Sequence, residues 1–205
     1  VIDYAGGSLG LTALYTALIV WIVGLAVPVT ASYIICAVIA APALTKLGVP
    51  DFAAHMFIFY YAVLSEVSPP TALSPFAAAA ICRGNPYLTT LQSWKYVTPA
   101  ILVPFMFVLD PSGQGLLLMG SSKALAAADP WAIAQVTFTA AVGIAAIAIG
   151  FQGWAWVKTT LIERWMFIIA GFALVYPSWV ADVIGFGLVV VALGSQWVRC
   201  KALSA

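Results

Sequence analysis

The sequence predicts an all-α integral membrane protein, a multi-helix bundle with a re-entrant hairpin and one helix broken at a Pro-Pro pair. Three observations carry this. The chain is 64% apolar and 7% charged, against roughly 25% charged residues in an ordinary soluble domain. Residues 4–45 and 130–157 contain no charged side chain. At about 1.5 Å of rise per residue each could cross a hydrocarbon core of about 30 Å, the first about twice. Finally, two short stretches rich in proline, serine and threonine, 27–33 and 65–74, interrupt the apolar runs.

The first apolar segment, 9–27, meets Pro28, which restricts Val27 and breaks the helix, while Thr30 and Ser32 are placed to cap the helix that resumes. No charged loop marks an aqueous turn before residue 44, so residues 9–46 read as a re-entrant hairpin with a polar tip. Lys46-Leu47-Gly48-Val49-Pro50-Asp51 is an interfacial turn. Helix restarts there, with proline suited to a first turn and Asp51 to the positive end of the dipole. From Asp51 to Ser65 is about 22 Å of helix, too short to cross alone. The chain then reads Leu64-Ser65-Glu66-Val67-Ser68-Pro69-Pro70-Thr71-Ala72-Leu73-Ser74-Pro75. Pro69-Pro70 should stop the helix near Ser65, and a second half-helix should run from Thr71 to Arg83. Residues 51–83 thus make one crossing, broken near the midplane.

Residues 87–96 read as a short interfacial helix, with Trp94 and Tyr96 at headgroup level. Residues 97–110 are a span kinked at Pro99 and Pro104, ending at Asp110-Pro111-Ser112-Gly113. Residues 1–110 form one region, and 111–130 form a loop or interfacial segment of open fold. In 131–205 a single span over 131–157 precedes a final pair, 165–176 and 183–198, turning around Pro177-Ser178-Trp179. The basic residues agree with this layout. With the Lys46 turn outside, Arg83, Lys95, Lys158, Arg164, Arg199 and Lys201 fall inside, leaving Lys46 and Lys123 outside. The chain begins at Val1 with no charged n-region before the apolar run, so it reads as a fragment or the C-terminal part of a longer membrane protein. Cys36, Cys82 and Cys200 lack the spacing of a disulfide framework or a zinc site.

A pair of proline-interrupted tips is the sequence pointer to a transporter site. Unwound turns free backbone carbonyls, and Thr30, Ser65, Ser68 and Thr71 add hydroxyls that suit an alkali cation. Val27, Thr30, Ser65 and Ser68 are the sodium candidates. The wider site takes in Gly24, Pro28, Glu66, Pro69, Pro70 and Thr71. Helices starting near Thr30 and Thr71 point positive ends at the same place, which suits an anion. Glu66 is an ionisable group near the membrane centre, where such groups are expensive. It can neutralise a cation, carry a proton, cap a helix or face water. His55, the single histidine, lies one turn after Asp51 and reads as a hydrogen-bonded packing residue. The eight tryptophans read as an interfacial belt. H-E-x-x-H, G-x-S-x-G and Gly-rich nucleotide motifs are all missing, so neither enzyme chemistry nor ATP-driven pumping is expected, and nothing suggests nucleic acid.

Several ordered motifs resemble a known family. They are Gly24-Leu25-Ala26-Val27-Pro28-Val29-Thr30-Ala31-Ser32-Tyr33, Ala41-Pro42-Ala43-Leu44, Gly48-Val49, Ala54-His55-Met56-Phe57-Ile58-Phe59-Tyr60-Tyr61, Ser68-Pro69-Pro70-Thr71-Ala72-Leu73 and Val103-Pro104-Phe105-Met106-Phe107. Together they resemble the large membrane subunit of the TRAP (tripartite ATP-independent periplasmic) transporters, in particular the C-terminal half of the TAXI-type fused permease. The resemblance implies the second repeat of an elevator-type secondary transporter in a bacterial or archaeal cytoplasmic (inner) membrane. It implies symport of organic anions such as C4-dicarboxylates with Na+, or H+, as coupling ion, and no other cofactor. The implied partners are a periplasmic substrate-binding protein and a small membrane subunit or fused N-terminal half. The alternative from the residues alone is a non-transporting scaffold or assembly subunit whose proline breaks serve packing.

Overall fold

A computed structural model describes residues 4–109, 117, 129–176 and 178–204. Among those residues the named elements are eight α-helices and a 3-10 turn, joined by turns and short extended stretches. The expectations placed on Asp3, on residues 110–113, on Lys123, on Pro177 and on most of 111–130 lie outside the described residues. Two helical stretches, Ile133–Gln152 and Trp179–Ala202, are individually long and apolar enough to cross a membrane. The chain divides into two compact units, Val1–Ala127 and Ala128–Ala205.

In the first unit, α1 (Leu9–Gly24) and α2 (Val29–Thr45) pack against each other as a helical hairpin. The chain leaves α1 through hydrogen bonds from Leu25 N to Trp21 O and from Ala26 N to Val23 O, both within 3.2 Å. Pro28 then occupies the N-cap of α2 at φ −57° and ψ 151°. Neither Thr30 nor Ser32 caps α2, contrary to expectation, because the helix begins one residue before Thr30 and both fall inside it. Leaving Pro50, α3 (Asp51–Leu64) runs into a 3-10 turn at Ser65–Val67, and α4 (Leu73–Cys82) resumes beyond the prolines. α4 thus starts two residues after the expected Thr71.

The expected division between an interfacial helix and a following span is replaced by one helix, α5 (Pro86–Leu109). Its start is strong. The Asn85 side chain accepts from Tyr87 N and Leu88 N at 3.0 and 3.2 Å, with proline at the first helical position. Pro99 and Pro104 both lie inside it. Apolar surroundings tolerate such prolines when neighbouring side chains engage the backbone nearby. Here Thr98 Oγ1 donates to Trp94 O at 2.9 Å, and Tyr61 Oη donates to Ile101 O at 2.6 Å.

Small residues bring these helices close. Ala13 and Ala17 of α1, Ala40 and Ala41 of α2, and Ala53 and Ala54 of α3 are all buried in one core around Phe57, Ile58 and Phe107. The outward residues of the hairpin, such as Val38 and Ile39, are 74% and 67% exposed. That polarity, small residues inward and branched apolar ones outward, fits lipid as the solvent.

The second unit holds α6 (Pro130–Gln152), α7 (Leu161–Val175) and α8 (Trp179–Ser204). Asp129 caps α6 by accepting from Trp131 N at 3.0 Å. The helix stops at Gly153, which takes the left-handed conformation at φ +74°. It therefore ends before the expected Val157, and a turn closed by Thr159 N to Gly153 O leads into α7. Thr160 and Glu163 form a capping box there. Arg164 locks the turn by donating from Nε to Gly150 O at 2.7 Å and from Nη2 to Phe151 O at 2.9 Å.

Candidate functional site

The break is built from a hydroxyl ladder as well as from prolines. Ser65 Oγ donates to Ala62 O at 2.6 Å, and Ser68 Oγ donates to Leu64 O at 2.7 Å. Thr71 Oγ1 lies 3.3 Å from both Ser65 O and Ser68 O. Each hydroxyl turns back on the chain, which tightens the last turn of α3 into the 3-10 form before the chain extends at Ser68 (φ −101°, ψ 140°). The Pro69-Pro70 peptide bond is cis. Ala72, fully buried, then takes a left-handed φ of 37° as the N-cap of α4, and its N–H donates to Ser68 O at 2.9 Å. A Cβ-bearing residue in that region costs of order 1–3 kcal/mol and is held by its surroundings.

The hairpin tip lies against this break. Gly24 faces Ser65 so closely that an added Cβ would lie 2.7 Å from Ser65 Cβ, and 3.3 Å from Ser32 Oγ. One turn earlier, Trp21 Nε1 donates to Ser68 Oγ at 2.8 Å. From α5, Trp94 Nε1 reaches the same oxygen at 3.3 Å. Trp94, expected at headgroup level, thus turns its N–H onto the break. α5 is one uninterrupted helix that packs on α3 and α4, with Tyr87 in its first turn against Phe76 and Trp94 further along at the break.

The predicted site residues separate into two groups. Gly24, Ser65 and Ser68 are buried and gathered together, with Thr71 half-buried beside them. Val27 is half-buried on the tip, whereas Pro28, Thr30, Pro69 and Pro70 are exposed. Glu66 is half-buried and has no hydrogen bond or ion pair among the described residues. Both α2 and α4 start without a side-chain cap, so their first N–H groups have no side-chain acceptor. The ends of those helices would attract negative charge. Proline at 28 and at 70 removes the donors that helical continuation would aim at the carbonyls of Gly24 and Glu66. The arrangement thus offers carbonyl oxygens of the kind a cation takes and N–H groups of the kind an anion takes.

Sequence reasoning missed Trp21, Trp94 and Ser32 as members of this assembly. Their partners lie 47 and 26 residues away for the two tryptophans, and only the periodicity of α1, which places Trp21 one turn before Gly24, gave a signal. His55 accords with the packing expectation: Tyr33 Oη lies 3.0 Å from His55 Nδ1, joining α2 to α3.

The residues that build the hairpin tip and the Pro-Pro break fall within a family match. Residues 2–112 match the family model for the tripartite ATP-independent periplasmic transporter, DctM component. The chain belongs to this DctM family. No curated protein and no solved structure matches it at a significant level. As a DctM protein the chain is a multi-pass membrane permease component, of a transporter family and not an enzyme family. All of the tip and break residues fall inside the matched span, and the second unit lies beyond it.

Proposed function

We propose that this DctM chain supplies half of the cation and substrate site of an ion-gradient-driven secondary transporter for organic anions, carboxylates above all. The observation that carries the reading is the contact of the α1–α2 tip with the break, Gly24 against Ser65. A cation bound there would be held by carbonyls that the prolines leave unpaired, those of Gly24 and Glu66, with Val27, Thr30, Ser65 and Thr71 around them. Helix C-terminal ends supply partial negative charge to the same place. The anion would sit toward the uncapped starts of α2 and α4, where N–H groups can pair with a carboxylate. Glu66 stands beside the cation position, and its charge would add to the attraction.

A C-terminal half of this kind needs complements. A periplasmic substrate-binding protein would deliver the anion, and a small membrane subunit or fused N-terminal half would close the site from the other side. An elevator motion of the repeat, in a bacterial or archaeal cytoplasmic membrane, would carry site and cargo together. Proteoliposomes holding the complete transporter, its binding protein and an inward sodium gradient should accumulate a labelled organic acid. Accumulation that responds to neither a sodium nor a proton gradient would overturn the reading.

A further inference from the structure

The Ser68 hydroxyl is saturated. A serine hydroxyl has one proton and two lone pairs. Here the proton goes to Leu64 O at 2.7 Å, and the lone pairs accept the indole N–H groups of Trp21 at 2.8 Å and Trp94 at 3.3 Å. The residue is 3% exposed. No lone pair is left for a cation unless a tryptophan lets go. The three partners come from three elements: α1 at the hairpin tip, the end of α3, and α5. Ser68 is also where the chain changes from 3-10 to extended backbone.

We infer that Trp21, Ser68 and Trp94 form a latch that holds the hairpin tip on the break, and that Ser68 is a positioning residue rather than a cation ligand. The tip cannot leave the break without first losing the Trp21 hydrogen bond. The surroundings permit that loss. The two indoles meet at 6.2 Å between ring centres and 55° between planes, a tilted contact that leaves both rings unstacked. Both also border an apolar cavity of about 320 Å³, shared with Leu14, Leu18, Tyr61 and Phe105. Of the other lining residues only Tyr61 carries a side-chain oxygen, and that hydroxyl is held on Ile101 O at 2.6 Å, so the latch reforms on the Ser68 oxygen. The latch sets how often the tip opens, and through it the rate at which cation and substrate enter. This consequence for transport rests on the proposed function, whereas the latch itself does not.

The test uses the complete transporter in detergent, on a cysteine-free background carrying Ser32→Cys, a position that is 0% exposed and lies against Gly24 while the tip is closed. The readout is the rate of maleimide labelling at that cysteine, with and without NaCl. Trp21→Phe and Trp94→Phe keep the rings and remove one N–H each. Loss of one neutral hydrogen bond is expected to speed labelling roughly three- to tenfold in the absence of sodium. Ser68→Ala should speed it at least as much, and Trp21→Phe added to Ser68→Ala should change nothing further, since its acceptor is already gone. In all of these variants sodium should still slow labelling, with a shifted midpoint. Wild-type rates in both tryptophan variants would overturn the latch. So would a sodium response lost in Ser68→Ala alone, which is the mark of a ligand. If sodium has no effect even on the parent protein, the proposed cation site fails, and the latch is still decided by the sodium-free rates. Gel-filtration profiles confirm that each variant is folded.

Discussion

Gly24 at the end of α1 and Ser65 at the end of α3 are packed backbone against side chain, with no room between them for a single methyl group. A tip of two helices meets a broken third, and the join is made at the one residue type without a Cβ. In a bilayer such a close approach also lets unwound backbone be covered by protein rather than by lipid.

Gly24→Ala should therefore separate the tip from the break. The new methyl would lie 2.7 Å from Ser65 Cβ, and overpacking of this sort costs about 1–3 kcal/mol. Uptake by the complete transporter should fall at least tenfold, with a raised sodium requirement, while the protein remains in the membrane. Ser65→Gly removes the opposing Cβ, so the double variant should regain part of the lost thermal stability, though not the uptake, because Ser65 also stands at the proposed cation position. A double variant no more stable than Gly24→Ala would show that the contact is not what the substitution disturbs.

Tyr33→Phe removes the hydroxyl that meets His55 Nδ1 at 3.0 Å while keeping the ring contacts to His55 and Phe59. A lost hydrogen bond of this class costs about 0.5–1.5 kcal/mol. Thermal unfolding should show a small decrease in stability, and sodium-dependent uptake should be unaltered. A large transport defect at unchanged stability would move His55 from packing to mechanism.

What was legible in the sequence was punctuation. Pro28 and the Pro69-Pro70 pair end helices by removing donors, a local effect that needs no partner, and the hairpin and the broken helix lie where those prolines put them. Pro99 and Pro104 carry the same letter and do not break α5. Part of the difference is tertiary: Tyr61 of α3 places its hydroxyl on the Ile101 carbonyl, and no local rule foresees a donor from another helix, whereas Thr98 turns back on Trp94 within α5 itself. The same limit hid the tryptophans. An indole in an apolar chain looks like a membrane-interface residue until its N–H is seen on Ser68. Capping followed the same division, since Thr160 with Glu163 caps α7 while Thr30 and Ser32 fall inside α2.

Gly171→Ala should destabilise the second unit. Its Cβ would lie 2.7 Å from the Gly143 carbonyl, a backbone atom that cannot rotate aside, and 3.0 Å from Ile147 N. Small residues are what let helices in a membrane approach to this distance. Gly187→Ala is the control, because a Cβ there meets nothing within 4 Å. The first should lower the thermal midpoint by several degrees and the second should leave it unchanged.

The polar end of α7, ahead of the apolar run that begins at Trp165, should make the second unit sensitive to acid. Burial by itself would raise the Glu163 carboxyl, but donors from the Ser195 hydroxyl, the Thr160 backbone, Arg199 and Gln196 outweigh it and hold the group down at about 2, from an ordinary 4.5. Ser195 Oγ, Gln196 Nε2 and Arg199 Nη1 lie 2.6, 2.7 and 2.6 Å from its oxygens. A carboxyl lowered on folding contributes stability that is complete above its unfolded value, near 4.5, and is lost as pH falls toward 2. Thermal midpoints measured from pH 7 to pH 3 should thus hold steady to about pH 5 and then decline. Glu163→Gln should lower the midpoint at pH 7, because Arg199 loses its counter-charge, and should flatten the decline below pH 5. Arg199→Ala should be milder than Glu163→Gln at pH 7, since three of the four donors remain. A wild-type profile without acid dependence in this window would mean that Glu163 is as easily protonated folded as unfolded, and the four-donor cluster would then lose its assigned role.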